Sequence, residues 1–269
     1  MTSVEKIRFE RVTKVFSVRD TKQKGAVKEF TAVKDLNFSV NEGEFLTLVG
    51  PSGCGKSTLL DLLGGLSSPT KGRILLDGKE IKGPGLDRGT VFQQYALFPW
   101  KTARGNIEFG LEAKGVPKRE WNEKTEYYLN LVGLQRFADR YPHELSGGMK
   151  QRVAIARSLA FDPDVLLMDE PFAALDAQTR ETLQSELLGI WEKTGKTIIF
   201  ITHGIDEAVY LGQRVVVLSP NPGSVKKIVD IPLKHRLADL DIHSNPEFVN
   251  ARRKVWSLLH EHEYQGANI

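Results

Sequence analysis

The sequence predicts an α/β fold in which a mainly parallel sheet is covered by helices and interrupted by an inserted helical subdomain. Two observations predict it. Short apolar stretches of strand length alternate with helical patterns, and such alternation is typical of parallel sheets. Between about Tyr95 and Leu159 the pattern is helical only, and strands return at Val165. We therefore expect an α/β core that is split in the sequence by a helical insertion.

The first half of the chain is predicted to contain five strands and one helix. The first two strands pair with each other and are joined by the polar connection Ser17–Lys28. The third is a buried strand that runs into a glycine-rich loop, after which the helix begins. The strands are Lys6–Val12, Ala32–Val40, Phe45–Val49, Ile74–Asp77 and Thr90–Gln93, and the helix is Lys56–Leu63.

Helices and strands alternate again in the second half. Lys118–Leu131 has the clearest helical pattern of the insertion, and strands are predicted at Val165–Met168, Thr197–Thr202 and Arg214–Leu218. A last helix is expected to start at Asn245-Pro246, a capping residue followed by a first-turn proline. Its apolar residues recur at helical spacing and are expected to pack this tail onto its own domain; they are Phe248, Val255, Trp256 and Leu259.

The composition is that of an ordinary globular protein. Of 269 residues, 41% are hydrophobic and 26% charged, which suits one large domain or a domain with an inserted subdomain. The net charge of +3 is too balanced to favour nucleic acid as a partner. The longest apolar runs are too short to span a membrane, and Met1–Glu10 has no secretory pattern. The single cysteine, Cys54, excludes an internal disulfide framework and suits a reducing cytosol.

The glycine-rich loop after the third strand, called the phosphate loop below, predicts phosphate binding. Its glycines let successive backbone N–H groups face an anion, and the following helix adds the positive end of its dipole. Lys56 is expected to contact the outer phosphates and the Ser57 hydroxyl to ligate magnesium. A glycine-rich turn that matches by accident is the alternative. The phosphate loop is Gly50, Pro51, Ser52, Gly53, Cys54, Gly55, Lys56, Ser57 and Thr58.

Two acids follow the apolar strand Val165–Met168. Open parallel sheets bind ligands at the carboxyl ends of their strands, where Asp169 and Glu170 are placed. Asp169 is expected to hold magnesium through water, and Glu170 to polarise the attacking water as general base. A strand end that is capped by two solvated acids is the alternative interpretation.

The segment Leu145–Arg152 predicts an unusual helix start. Ser146 can cap a helix whose first residues, Gly147 and Gly148, leave bare N–H groups for an anion. Glycine costs a helix about 1 kcal/mol at an interior position, which suggests that something approaches this backbone closely. An ordinary helix start is the plainer interpretation.

Taken together, the phosphate loop, Leu145–Arg152 and Val165–Glu170 resemble the nucleotide-binding subunits of ABC transporters. The resemblance extends from about Lys6 to Val229 and implies a P-loop ATPase core with an antiparallel strand region and the inserted helical subdomain. The implied boundaries are 1–94 and 162–235 for the core, 95–161 for the helical subdomain and 236–269 for a helical tail. It also implies a head-to-tail homodimer with two ATP molecules, each contacting the phosphate loop of one chain and Ser146, Gly147 and Gly148 of the other.

Four further residues match positions of this family. The resemblance implies that Phe16 stacks on adenine, although a strand or loop hydrophobe is the alternative. Gln93 matches the glutamine that ligates magnesium and senses the membrane partner, with Gln94 as a competing neighbour. Asp176 matches the loop that crosses the dimer interface, and His203 the histidine that contacts the terminal phosphate. Without the resemblance, His203 would be interpreted as a surface or core residue.

Within the family, the chain looks like the bacterial nitrate/sulfonate/taurine importer branch. Its most useful marks are Pro99-Trp100 and Thr179-Arg180. This implies ATP and Mg²⁺ as cofactors, two membrane permease subunits, an indirectly acting solute-binding protein, and a place at the cytoplasmic face of the inner membrane. The solute is expected to be small and anionic. A soluble ABC-type ATPase that is not coupled to transport is the alternative.

Two local expectations concern reactivity and coupling. Cys54 lies beside Lys56 and a helix N-terminus, which favour the thiolate, so it is expected to react readily with maleimide. The apolar area of the segment Tyr95–Trp100 is expected to need a partner or internal packing. The resemblance implies that the partner is a short cytoplasmic helix of the membrane subunit. The alternative for Trp100 is a place in the core of the helical subdomain.

Overall fold

The computed structural model describes residues 4–19, 27–234, 236–239 and 241–265. The chain divides into two compact units. The first unit comprises the residues up to Pro84 and those from Phe200 onward, and the second comprises Gly85–Ile199. This division does not test the predicted boundaries 1–94, 95–161, 162–235 and 236–269, which stay predictions.

The strands and helices alternate as predicted for an α/β fold. The strands are β1 (Glu5–Arg19), β2 (Val27–Asn41), β3 (Phe45–Val49), β4 (Lys71–Leu76), β5 (Lys79–Glu80), β6 (Arg88–Val91), β7 (Val165–Asp169), β8 (Thr197–Ile201), β9 (Arg214–Ser219) and β10 (Ser224–Asp230). The helices are α1 (Lys56–Leu63), α2 (Ala103–Lys114), α3 (Lys118–Leu131), α4 (Gly147–Ala160), α5 (Ala177–Thr194), α6 (Ile205–Leu211) and α7 (Pro246–Gln265).

An antiparallel sheet in the first unit has the strand order β2-β1-β4-β5. The long strands β1 and β2 are held together by cross-strand pairs, and the rings of Phe9 and Phe38 stack with their centroids 4.3 Å apart. The predicted polar connection Ser17–Lys28 is therefore too long, because β1 continues to Arg19 and β2 begins at Val27. Residues 20–26 of that connection lie outside the described residues. The extension of the two strands was not predicted because this part of the sequence is polar, and an antiparallel strand can expose one face to water.

The phosphate loop is delivered by a second group of strands in the first unit. The strand β3 is buried along its whole length and pairs in parallel with β9, and β10 pairs antiparallel with β9. The helix α1 follows the loop and has the predicted bounds, Lys56–Leu63. The buried side chain of Arg236 closes the end of α6 by donating to the carbonyls of Tyr210, Leu211 and Gly212, at 3.2, 2.7 and 2.8 Å.

The second unit contains the parallel pair β6–β7 and the helices α2 to α5. The helix α3 has the predicted bounds, Lys118–Leu131. Two other expectations are wrong at their edges. The strand β6 ends at Val91, so Gln93 lies in the following turn and not at a strand end. The first helix of the insertion begins only at Ala103, where Thr102 caps it by accepting from the N–H of Gly105 at 3.1 Å.

The tail helix α7 begins as predicted. Asn245 Oδ1 accepts from the N–H of Glu247 at 2.9 Å, and Phe248 and Val255 are fully buried. Trp256 does not belong to this packed face, because its side chain is 42% exposed and stacks on His260 with the ring centroids 4.4 Å apart. Within the described ranges, no helix combines the length and the apolar character that crossing a membrane requires.

Candidate functional site

The phosphate loop leaves backbone donors available at the start of α1. Gly55 takes the position before the helix with φ 88°, a left-handed conformation that suits glycine, and offers no side-chain cap. The first N–H groups of a helix have no partner within it. Among the described hydrogen bonds, those of Ser57 and Thr58 have no acceptor. Two donors and the helix dipole are therefore available to an anion at this loop.

Lys56 lies inside the phosphate loop. Its ammonium donates to the carbonyl oxygens of Gly50 at 2.8 Å and Pro51 at 3.3 Å, and only 9% of the residue is exposed. The positive charge is thus held at the loop by acceptors that belong to the loop itself. An incoming phosphate would meet this charge where the solvent is largely excluded, which strengthens the attraction.

The expectation that Cys54 is a thiolate is wrong. The residue is fully buried, and this burial raises the pKa of its thiol above the ordinary value, against the opposing effect of the Lys56 charge. The ammonium of Lys56 is 4.0 Å from the Sγ atom of Cys54 and is hydrogen bonded to carbonyl groups as well. Local sequence neighbours indicated a thiolate, but the packing around the loop determines the pKa.

The two acids lie in the second unit, at the end of β7. Asp169 is the last residue of that strand, which is one residue longer than predicted, and both acids are half-buried. Glu170 has φ 43°, which is uncommon for a residue with a side chain and is often found at functional sites. Its carbonyl accepts from the N–H of Ala173 at 3.1 Å, which closes the turn after the strand.

The start of α4 has the predicted capped geometry. The Ser146 side chain accepts from the N–H of Met149 at 3.3 Å, and the N–H groups of Gly147 and Gly148 have no acceptor among the described hydrogen bonds. A Cβ atom at Gly148 would lie 2.8 Å from the Thr179 side chain. The glycine is thus needed for the close approach of α4 to the start of α5.

Asp176 lies at that same place in the second unit, as the cap of α5. Its carboxylate accepts from the N–H of Thr179 at 3.0 Å, and this hydrogen bond lowers the pKa of Asp176. The structure therefore brings the neighbourhoods of Ser146–Gly148 and Asp176 together, although they are separated by β7 in the sequence.

Three predicted residues are exposed. Phe16 lies on β1 opposite Phe30, with the ammonium of Lys14 5.0 Å from its ring centroid. Gln93 and its neighbour Gln94 are both exposed in the turn after β6, so their exposure does not show which of them is the predicted magnesium ligand. His203 is exposed between β8 and α6 in the first unit.

The segment Tyr95–Trp100 is a loop with an outward aromatic side chain. Trp100 is 70% exposed, so the alternative that it belongs to the subdomain core is wrong. Its ring centroid is 5.5 Å from that of Phe98, which in turn contacts Phe109 at 4.6 Å. Arg157 fixes the loop from α4 by donating to the carbonyl of Ala96 at 2.7 Å.

The sequence interpretation missed two residues that hold this loop, Arg157 and Asn106. The buried amide of Asn106 accepts from the N–H of Phe98 at 2.9 Å and donates to the carbonyl of Lys101 at 3.1 Å. An asparagine and an arginine within helical patterns gave no local signal of this role. Only the position of an asparagine inside an apolar helix face could have drawn attention to it.

A strand that delivers a glycine-rich loop to a helix start with free N–H groups and a buried lysine defines a phosphate-loop nucleotide-binding protein. A family model described as ABC transporter matches residues 33–173. An uncharacterized ABC transporter ATP-binding protein of Methanocaldococcus jannaschii is 54% identical over 254 residues, which are 94% of this chain and 91% of that protein.

Two further relatives have names that state a transported solute. A taurine import ATP-binding protein of Pelagibacter ubique is 49% identical, over 88% of this chain and 92% of that protein. A nitrate import ATP-binding protein of Synechocystis sp. is 50% identical, over 86% of this chain and 89% of that protein.

Solved structures of ATP-binding cassettes are also similar to this chain. An ATP-binding cassette, described as dimeric and in a post-hydrolysis state bound to ADP and Pi, is 33% identical with a TM-score of 0.71. That similarity covers 85% of this chain and all of the other. The chain belongs to the ABC transporter family, and it is an ATP-binding ATPase of that family. The predicted fold class and the resemblance to the nitrate and taurine importer branch are thereby confirmed.

Proposed function

We propose that the chain is the ATP-hydrolysing subunit of an importer that takes up a small anionic solute through separate membrane subunits. The observation that carries the proposal is the phosphate loop, which combines free N–H groups at the start of α1 with a buried lysine. The names of the taurine and nitrate import relatives support the solute class, since nitrate is a small anion and taurine carries an anionic sulfonate group.

In this proposal the phosphate loop holds the phosphates of ATP and the exposed ring of Phe16 stacks on adenine. The ammonium of Lys56 exchanges a carbonyl acceptor for a phosphate oxygen, which is a stronger, charge-assisted hydrogen bond. His203, exposed before α6, contacts the terminal phosphate. Glu170, at the end of β7, acts as general base toward the attacking water.

Magnesium fits the donor set that we assign to it. Ser57 offers a hydroxyl, Gln93 an amide carbonyl and Asp169 a carboxylate, and Mg²⁺ prefers such hard oxygen ligands. The bound ion would supply positive charge that neutralises the phosphate oxygens.

We further propose that two copies of the chain bind two ATP molecules in a head-to-tail homodimer. Ser146, Gly147 and Gly148 contact the ATP that the phosphate loop of the other copy holds, and Asp176 lies in the segment that crosses between the copies. The free N–H groups of Gly147 and Gly148 support this assignment, because they are available to a phosphate. The solved cassette with a TM-score of 0.71 is itself described as dimeric.

The membrane partners are two permease subunits, and a solute-binding protein acts through them. The chain would then sit at the cytoplasmic face of the inner membrane, attached through the permease. The exposed Trp100 supports such a contact, because a large aromatic ring that lies outside the subdomain core is a common anchor at interfaces.

The variant Glu170→Gln tests the ATPase assignment. The neutral amide cannot accept the proton of water, and it also removes negative charge near the phosphates. We expect this variant to elute as a dimer in size-exclusion chromatography with ATP and magnesium and to show no ATP turnover. Glu181→Gln, an exposed change on α5, is the matched control and should behave like the parent. A Glu170→Gln chain that stays monomeric, or that hydrolyses ATP at the parental rate, would contradict the assignment of Glu170 as general base.

Cosedimentation tests the coupling to transport. The chain is expressed with and without the permease subunits, and membranes are collected by centrifugation. We expect the chain in the membrane fraction only when the permease is present. A chain that stays in the supernatant in both cases would favour a soluble ATPase that is not coupled to transport.

A further inference from the structure

We propose that the Pro220–Gly223 turn is a positioning element for the phosphate loop, and that Gly223 is its decisive residue. The proposal rests on the proposed function, in which the phosphate loop binds ATP. The turn joins β9 to β10, and both it and the loop belong to the first unit.

The backbone of Gly223 lies directly against the backbone of the phosphate loop. A Cβ atom placed on Gly223 would be 1.9 Å from the carbonyl oxygen of Cys54 and 3.1 Å from that of Ala32. Real Cβ atoms do not approach other atoms to 1.9 Å, and the obstacle here is main chain and not a flexible side-chain end. Any larger residue at 223 must therefore displace the loop, the turn or both.

The turn is itself fixed to β2. The N–H of Gly223 donates to the carbonyl of Ala32 at 3.0 Å, and the N–H of Lys34 donates to the carbonyl of Gly223 at 2.8 Å. These two bonds form a short parallel bridge between Val33 and Gly223. The turn therefore cannot move away from the phosphate loop without breaking hydrogen bonds to a strand of the antiparallel sheet.

The same stretch of β2 also supports the next residue of the phosphate loop. A Cβ atom on Gly55 would lie 2.4 Å from Cγ1 of Val33 and 2.9 Å from the carbonyl oxygen of Ala32. Thus Cys54 contacts the turn and Gly55 contacts β2, and turn and strand are bonded to each other. Main-chain contacts to two consecutive residues, Cys54 and Gly55, thus hold the phosphate loop in place.

A pair of serines closes the base of the turn. Ser219 at the end of β9 and Ser224 at the start of β10 are partners in the strand register, and their hydroxyl oxygens are 2.6 Å apart. This bond sets the width of the turn and thereby the position of Gly223. It can be removed without adding any atom near the phosphate loop.

Fixing the loop before the ligand arrives should favour binding, because less conformational freedom is lost on association. A substitution at 223 that displaces the phosphate loop should weaken binding, because the loop is then no longer fixed before the ligand arrives. A misplacement of about 1 Å in a site of this kind can cost up to about a hundredfold in function. We therefore expect Gly223→Ala to raise the dissociation constant for ATP by about tenfold to a hundredfold.

The experiment measures ATP binding to the full chain by isothermal titration, together with the melting temperature. Gly83→Ala is the matched control, because a Cβ atom there would have no atom within 4 Å. We expect the control to bind like the parent and Gly223→Ala to bind at least about tenfold more weakly. Equal affinities of the parent and Gly223→Ala would overturn this inference alone. A parent that binds no ATP would overturn the proposed function and this inference with it.

Ser224→Ala decides the question if Gly223→Ala does not fold. Amide hydrogen exchange is followed in the phosphate loop and in the turn, and ATP affinity is measured again. We expect faster exchange at residues 50–58 and an affinity reduced about threefold, in line with the loss of one neutral hydrogen bond. Ser224→Thr keeps the hydroxyl and should restore both. Exchange that rises in the turn but stays parental in the loop would show a purely structural role and overturn the proposal.

Discussion

Replacing Trp100 by alanine should weaken assembly with the permease while leaving the chain folded. An aromatic side chain carries about 150–250 Å² of surface, so the exposed 70% of Trp100 amounts to about 140 Å². At about 25 cal/mol per Å², covering this area on a partner would contribute about 3.5 kcal/mol. Ordering and association costs reduce such values, so we expect a loss of about 2 kcal/mol, or about thirtyfold in the dissociation constant.

The cost to the isolated chain should be smaller. The described ring contact of Trp100 is with Phe98, at a centroid distance of 5.5 Å, and such aromatic pairs are worth about 1 kcal/mol. A loss of that size lowers the melting temperature of a chain of this length by about 2–4 °C. Basal ATPase should be unchanged, because Trp100 has no assigned contact with nucleotide.

The assay measures binding of the chain to permease subunits in lipid nanodiscs, with solute-stimulated ATPase as the second readout. Tyr127→Ala is the matched control, since Tyr127 is a 56% exposed aromatic residue of the same unit on α3. We expect Trp100→Ala to lose binding and stimulation together and Tyr127→Ala to keep both. Parental binding by Trp100→Ala, equal losses in the two variants, or an unfolded Trp100→Ala chain would refute the reasoning.

Three other outcomes follow from buried or hydrogen-bonded groups. Burial raises the pKa of the Cys54 thiol, so maleimide should label the native chain slowly at pH 7.5 and rapidly in urea; rapid native labelling would contradict the packing. Arg236→Met removes three donors to the end of α6 and should lower the free energy of unfolding by about 3 kcal/mol in a urea titration; a parental free energy of unfolding would contradict this role. The hydrogen bond from Lys196 lowers the pKa of Asp162, so its stabilising contribution is present above about pH 4 and is lost as the pH falls through the folded-state pKa. Asp162→Asn should flatten that part of a pH–stability curve, and an unchanged curve would contradict the pairing.

The parts of the fold that could be predicted depend on neighbours in the sequence. The bounds of α1 and α3 follow from their helical sequence patterns, and the start of α7 follows from its capping residue Asn245; the structure confirms all three. The phosphate loop was recognisable because glycine spacing encodes its backbone. Its free N–H groups and the buried lysine then agree with the prediction.

Contacts between distant parts of the sequence could not be predicted. Local neighbours of Cys54 indicated a reactive thiolate, but residues packed against the loop from elsewhere bury it and reverse the direction of its pKa. The apolar spacing of the tail included Trp256, which is exposed, because periodicity defines a helix face without showing how wide the covering surface is. Gly223 had no local signal at all, since its role depends on an approach to Cys54.

The position of Lys56 has a consequence for the turnover of the proposed ATPase. The ammonium of this buried residue would be costly without acceptors, but here two carbonyls of its own loop accept from it at 2.8 and 3.3 Å. When spent nucleotide departs, the lysine returns to these oxygens, and no isolated charge remains in the protein. The carbonyl acceptors should therefore lower the electrostatic cost of product release in the proposed ATPase.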